Sequence, residues 1–127
     1  MFLNKIFFNS METENKIPEV DIDKEGKFKY IQIKITNKQN KEDQRIVIKG
    51  TSKCKFHNDI FKEFMEKLNI TENDKYIYEP IGGGKIEFNK NKIYISGEST
   101  IYGPCDHELT CKKIQKYFPK DKYEITY

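Results

Sequence analysis

The stretch Phe28–Ile35, FKYIQIKI, constrains the fold more than any other part of this chain. Isoleucines stand at 31, 33 and 35, with Gln32 and Lys34 between them. Strand side chains alternate between faces, so this spacing predicts a half-buried strand with one apolar side. Lys29 shares the isoleucine parity but comes early. At the start of the strand its ammonium can emerge at the sheet edge while the aliphatic stem packs.

Other elements follow from changes of period. Arg45–Lys49, RIVIK, reads as a second strand after the polar connection NKQNKED. From His57 onward Ile60, Phe61, Phe64, Met65 and Leu68 fall at helical spacing, which predicts a helix with one face on a sheet. Asn69 and the TEND run at 71–74 end it. The segments 75–80, 82–89 and 92–99 read as three further strands, with a turn at 89–91. A loop at 99–107 contains Gly103 and Pro104. Thr110 is the expected N-cap of a second helix whose face is Ile114, Tyr117 and Phe118, stopped by Pro119. A closing strand is expected at 123–127. Six strands and two helices without strict βαβ alternation describe an α+β domain, a mixed six-stranded sheet flanked by two helices.

At 127 residues the chain has the length of one domain and can bury a core without disulfides or metals. Its 23 Lys and Arg against 20 Asp and Glu are interspersed, giving a net charge of +3. That balance suits an anionic ligand but supplies no basic stripe for nucleic acid. Only one arginine occurs, Arg45, so lysine carries the positive charge. Cys54, Cys105 and Cys111 form no CxxC pair, and neither His57 nor His107 has cysteine pairs beside it, so metal geometry is unsupported. A reducing cytoplasm fits this cysteine usage. The opening MFLNKIFFNS is too short and interrupted to span a membrane. Residues 1–16 are expected to be a disordered extension ahead of a domain at 17–127.

Three features converge on an anion. Ser99-Thr100-Ile101-Tyr102-Gly103 leaves a strand through a tight loop, where successive N–H groups can form a concave anion site. Lys29, Lys49 and Lys85 sit at strand termini. His57 heads a helix, where N–H groups favour negative charge, and its imidazole can act as nucleophile or base near neutral pH. Each signal alone is weak. The triplet Gly82-Gly83-Gly84 fits neither a Walker A loop nor a dinucleotide fingerprint and reads as a flexible strand entry. Periodicity by itself stops at a small anion-binding domain.

IPEVDIDKEGKFKYIQIKI (17–35), KFHNDIF (55–61), YEPIGGGKI (78–86) and ISGESTIYGPCDH (95–107) occur in the order found in eukaryotic phosphohistidine phosphatases, the janus/ocnus family. The resemblance covers nearly everything from Ile17 to Tyr127. It implies a mixed sheet flanked by two helices and a metal-independent hydrolase with no cofactor. Its substrates would be proteins carrying phosphohistidine, with phospholysine on the same chemistry. No nucleic acid or membrane partner is implied, and a monomer is expected.

By the same resemblance His57 falls on the catalytic histidine, and Lys29 on a contact to substrate phosphate. Ser99, Thr100 and Ile101 fall on the phosphate-holding loop, with Tyr102 and Gly103 following. Lys49, Lys85 and His107 have family counterparts in supporting positions. Three departures stand out. Ile101 replaces a small residue and could narrow the pocket, while Lys49 and Lys85 replace arginines and lose the bidentate fork. A binding module whose catalysis has faded is the rival reading, and a nucleic-acid-binding domain is more distant.

Overall fold

A computed structural model describes residues 17–69 and 74–127 of the chain. The expected N-terminal extension, and residues 71–73 of the expected helix stop, lie outside the described residues. Strands β1 (Val20–Ile22), β2 (Gly26–Asn37) and β3 (Gln44–Thr51) come first, followed by helix α1 (His57–Leu68). Then come β4 (Tyr76–Asn89), β5 (Lys92–Ser96), β6 (Glu98–Ser99) and β7 (Gly103–Pro104), helix α2 (His107–Gln115) and β8 (Glu124–Thr126). Six strands form one sheet in the order β1-β3-β2-β4-β5-β8, and β6 pairs with β7 in a small ribbon. β1 runs parallel to β3 and β8 parallel to β5, while the other neighbours are antiparallel. The expected α+β architecture, a mixed six-stranded sheet with two helices, is what forms.

The helices cover opposite faces of the sheet. Ile31, Ile33, Ile35 and Val47 pack beneath Ile60 and Phe64 of α1. Tyr30, Ile48, Ile86, Phe88 and Ile95 pack beneath Cys111 and Ile114 of α2. Each fully buried isoleucine contributes about 1.5–3 kcal/mol by leaving water. β2 is therefore not half-buried, as its alternation alone implies. Gln32, only 2% exposed, lies under α2 and donates from Nε2 to Thr110 Oγ1 at 2.8 Å and to the Asp106 carbonyl at 2.9 Å.

Several boundaries differ from expectation. The segments 75–80 and 82–89 are one strand, joined by a bulge at Ile81 opposite Gln32 and Ile33, and the glycines after it keep regular pairing with β2. Pro80 is tolerated because β5 pairs only with residues 85–89, leaving the first half of β4 with one sheet neighbour, β2. β1 is three residues long, too short for its period to declare itself. Lys29 stands fourth in a twelve-residue strand rather than at its start. Asp106, not Thr110, caps α2, accepting from the Leu109 N–H at 3.1 Å. Thr110 sits one turn further in, fully buried. Asn69 ends α1 in the left-handed conformation, as expected of a C-terminal asparagine.

Candidate active site

The glycine triplet lies inside β4 and lets three groups approach its backbone. Register places Ile31 opposite Gly83 and Lys29 opposite Lys85, so Gly83, Lys29 and Lys85 share the face under α1. A Cβ on Gly83 would stand 2.7 Å from Cδ2 of His57 and 3.1 Å from Cβ of Ser99. Gly84 faces the opposite way, where a Cβ would meet the His107 ring at 2.8 Å. At Gly82 a Cβ would collide with the Pro104 carbonyl at 2.6 Å. The triplet is thus a mid-strand contact surface, not a flexible entry.

His57 begins α1 and is 7% exposed. Its Nε2 lies 2.9 Å from the Gly84 carbonyl. A carbonyl only accepts, so Nε2 carries the proton and Nδ1 keeps its lone pair. Burial lowers the basicity of the ring below the ordinary value of 6.5; the Gly84 carbonyl opposes that, and the ammoniums of Lys29 and Lys85 add to the lowering. The imidazole is therefore neutral at pH 7.

Around it the positive charges are incompletely neutralised. Lys29 and Lys85 sit directly opposite each other on neighbouring strands, an arrangement that like-charge repulsion disfavours. Neither has an acidic partner among the described residues. Phe56, the residue before α1, makes no side-chain cap, and its carbonyl accepts from the Asp59 N–H at 3.1 Å.

The loop residues arrive from the other side of Gly83. Ser99 is buried, and its Oγ accepts from the Tyr102 N–H at 3.0 Å, which tightens the turn. The N–H groups of Thr100 and Ile101 enter no hydrogen bond among the described residues. Ile101 is 63% exposed, so its side chain does not fill the space between loop and helix. Gly103 adopts φ 83°, which the turn into β7 requires and other residues resist.

The remaining candidates lie elsewhere. Lys49 is ion-paired to Asp21 at 2.5 Å and is not among the groups acting on His57. His107 begins α2 on the far face, where its Nε2–H donates to the Gly97 carbonyl at 2.7 Å. Its Nδ1 accepts from the Tyr30 hydroxyl at 2.7 Å, and that hydroxyl accepts in turn from Thr110 Oγ1 at 3.1 Å. Burial and the Glu63 carboxylate push Cys54 up to about 11, and burial pushes Cys105 upward. No group of three or more His, Cys, Asp or Glu converges on a metal-sized space among the described residues. No helix there is long and apolar enough to cross a membrane.

Two features of the site were missed by sequence reasoning. The Gly84 carbonyl orients the ring of His57, and Phe56 stands beside Lys29 with its ring 53% exposed. The only sequence signal for the first is the triplet itself, where consecutive glycines open both faces of a strand at once.

The model of the Janus/Ocnus family matches residues 14–122. The chain belongs to the Janus/Ocnus family. It is 42% identical over 97 residues to the sex-regulated protein janus-A of Drosophila pseudoobscura pseudoobscura, a match covering 72% of this chain and 63% of that protein. It is 30% identical over 117 residues to the human 14 kDa phosphohistidine phosphatase, covering 87% of this chain and 90% of the human protein. The pig protein of the same name is 28% identical over 118 residues, with 88% and 90% covered. Relatives within the family thus carry two kinds of name, one of which states an activity.

Proposed function

We propose that this chain is a protein phosphohistidine phosphatase that hydrolyses the P–N bond with His57. The observation that carries the reading is the tautomer of His57, with Nε2–H fixed on the Gly84 carbonyl and Nδ1 unprotonated beside two ammoniums. The relatives named phosphohistidine phosphatase support the same reaction class.

A phosphoramidate needs little covalent assistance, so positioning and charge stabilisation dominate. Lys29, Lys85 and the N–H groups of Thr100 and Ile101 hold the nonbridging oxygens, with Ser99 shaping the loop and Tyr102 and Gly103 closing it. Nδ1 of His57 gives its lone pair to phosphorus, and the P–N bond to the leaving imidazole breaks as that imidazole takes a proton from solvent. Water then displaces phosphate from His57 and restores the free ring. In the alternative route Nδ1 takes a proton from the attacking water, and no phosphoenzyme forms. The enzyme acts as a monomer in the cytoplasm, without a metal, and phospholysine suits the same site.

The deciding measurement is phosphate release from a phosphohistidine peptide. His57→Ala should lose about a hundredfold or more in kcat/KM, and excess chelator should leave the wild-type rate unchanged. Rapid alkaline quenching traps a phosphorylated His57 if the ring is the nucleophile and none if it is the base. Full activity in folded His57→Ala protein overturns the reading. Tight binding of the peptide without turnover establishes the rival, a phosphohistidine-binding module.

A further inference from the structure

A cleft of about 370 Å³ opens beside the His57 site, and its walls include Lys27, Lys29, Lys55, Lys85 and Glu87. Lys27 is tied to Glu87 at 3.6 Å. Lys29, Lys55 and Lys85 have no acidic partner among the described residues. Lys29 and Lys55 converge on one exposed ring, their ammoniums 5.5 and 5.6 Å from the centroid of Phe56. Each cation is partly held by the ring's negative face, and both lysines also line the cleft.

These lysines divide by what they act on. Lys29 and Lys85 are paired across β2 and β4 and lower the basicity of His57, whereas Lys55 lies off the sheet in the segment leading into α1. The two charges of the first pair match those of a phosphoryl dianion at His57. Lys55 is an additional cation outside that immediate sphere. Phe56 between them is extended, with φ −121° and ψ 152°, so Lys55 and His57 are separated by about 7 Å of backbone, one to two residues of an extended peptide.

Resting on the phosphohistidine reading of the neighbouring site, we propose that this cleft is a second, anion-selecting subsite. Its occupant is an acidic side chain one or two residues from the phosphohistidine in the substrate protein. Lys55 is the residue that recognises it, and the exposed face of Phe56 supports the intervening backbone. The Glu87 carboxylate in the cleft wall would repel the successive phosphates of a nucleic-acid strand, which favours a single carboxylate.

The test uses peptides carrying phosphoryltriazolylalanine, a stable phosphohistidine analogue, with Asp or Ala flanking it, and fluorescence anisotropy in about 50 mM salt. The Asp-flanked peptide should bind about fivefold tighter, as expected for one partly screened charge pair. The preference should shrink at high salt, and Lys55→Gln should bring the ratio close to one. Equal affinity for the two peptides overturns the subsite, and so does a ratio unmoved by Lys55→Gln. Competition by a single-stranded oligonucleotide as strong as by the Asp peptide replaces it with a polyanion surface. Turnover of the matching phosphohistidine peptides is measured in parallel. Failure there strikes the phosphatase reading alone, because the analogues report binding without chemistry.

Discussion

The imidazole of His57 occupies the space that a side chain at Gly83 would fill, with Cδ2 only 2.7 Å from where a Cβ would stand. The same Cβ would also stand 2.9 Å from the Tyr30 carbonyl and 3.1 Å from Cβ of Ser99. Gly83→Ala must therefore move the ring, the strand or both. The expected result is a kcat at least tenfold lower, since displacements of this size are costly to an aligned reacting group. Kinetics on protein shown to be folded by circular dichroism checks it, and an unchanged kcat would separate the ring's position from catalysis.

The pH dependence follows from the environment of His57. Protonation would occupy Nδ1, so activity falls as pH drops through the ring's folded value, which lies below 6.5. The acidic limb of kcat/KM should thus lie below pH 6.5, with neutral pH on the plateau. Removing a neighbouring ammonium by Lys29→Ala or Lys85→Ala relieves part of the lowering and should move the limb up toward 6.5. A limb that stays fixed in both variants would dissociate it from His57. Because the folded value is the lower one, this group also withdraws stability as pH falls below 6.5.

His107 should matter to the fold more than to the reaction. It joins the Tyr30 hydroxyl to the Gly97 carbonyl, so His107→Ala leaves both without that partner. A loss of about 1–3 kcal/mol in urea unfolding is expected, with kcat/KM within about tenfold of wild type. A hundredfold loss of activity at unchanged stability would instead place His107 in the chemistry.

Glu19 ties the start of the described chain to α2. Its carboxylate accepts from Lys113 at 2.7 Å, from Lys116 and from the Tyr117 hydroxyl. Burial alone would raise its pKa, but these partners outweigh it and hold the group at about 2. Its contribution to stability is complete above about pH 4.5 and is lost as pH falls toward 2. Glu19→Gln should cost about 1 kcal/mol at pH 7, and the difference from wild type should vanish by about pH 2. Parallel unfolding curves at both pH values decide it.

The alternation through Ile31, Ile33 and Ile35 and the helical spacing from Ile60 to Leu68 were sufficient to declare β2 and α1, because period alone tells an extended chain from a coiled one. The motif order likewise placed the chain in its family. The sequence did not reveal that α2 would cover the second face of β2 and turn Gln32 and Thr110 into buried polar partners. Nor did it reveal that Lys49 would be paired with Asp21 while Lys85 stood opposite Lys29. Both outcomes depend on strand register, which residues far apart in the chain settle between them. The same holds for the glycine triplet. Locally it reads as a break in a strand. Only when β4 lies between His57 on one face and His107 on the other does the missing Cβ become the reason that both rings fit.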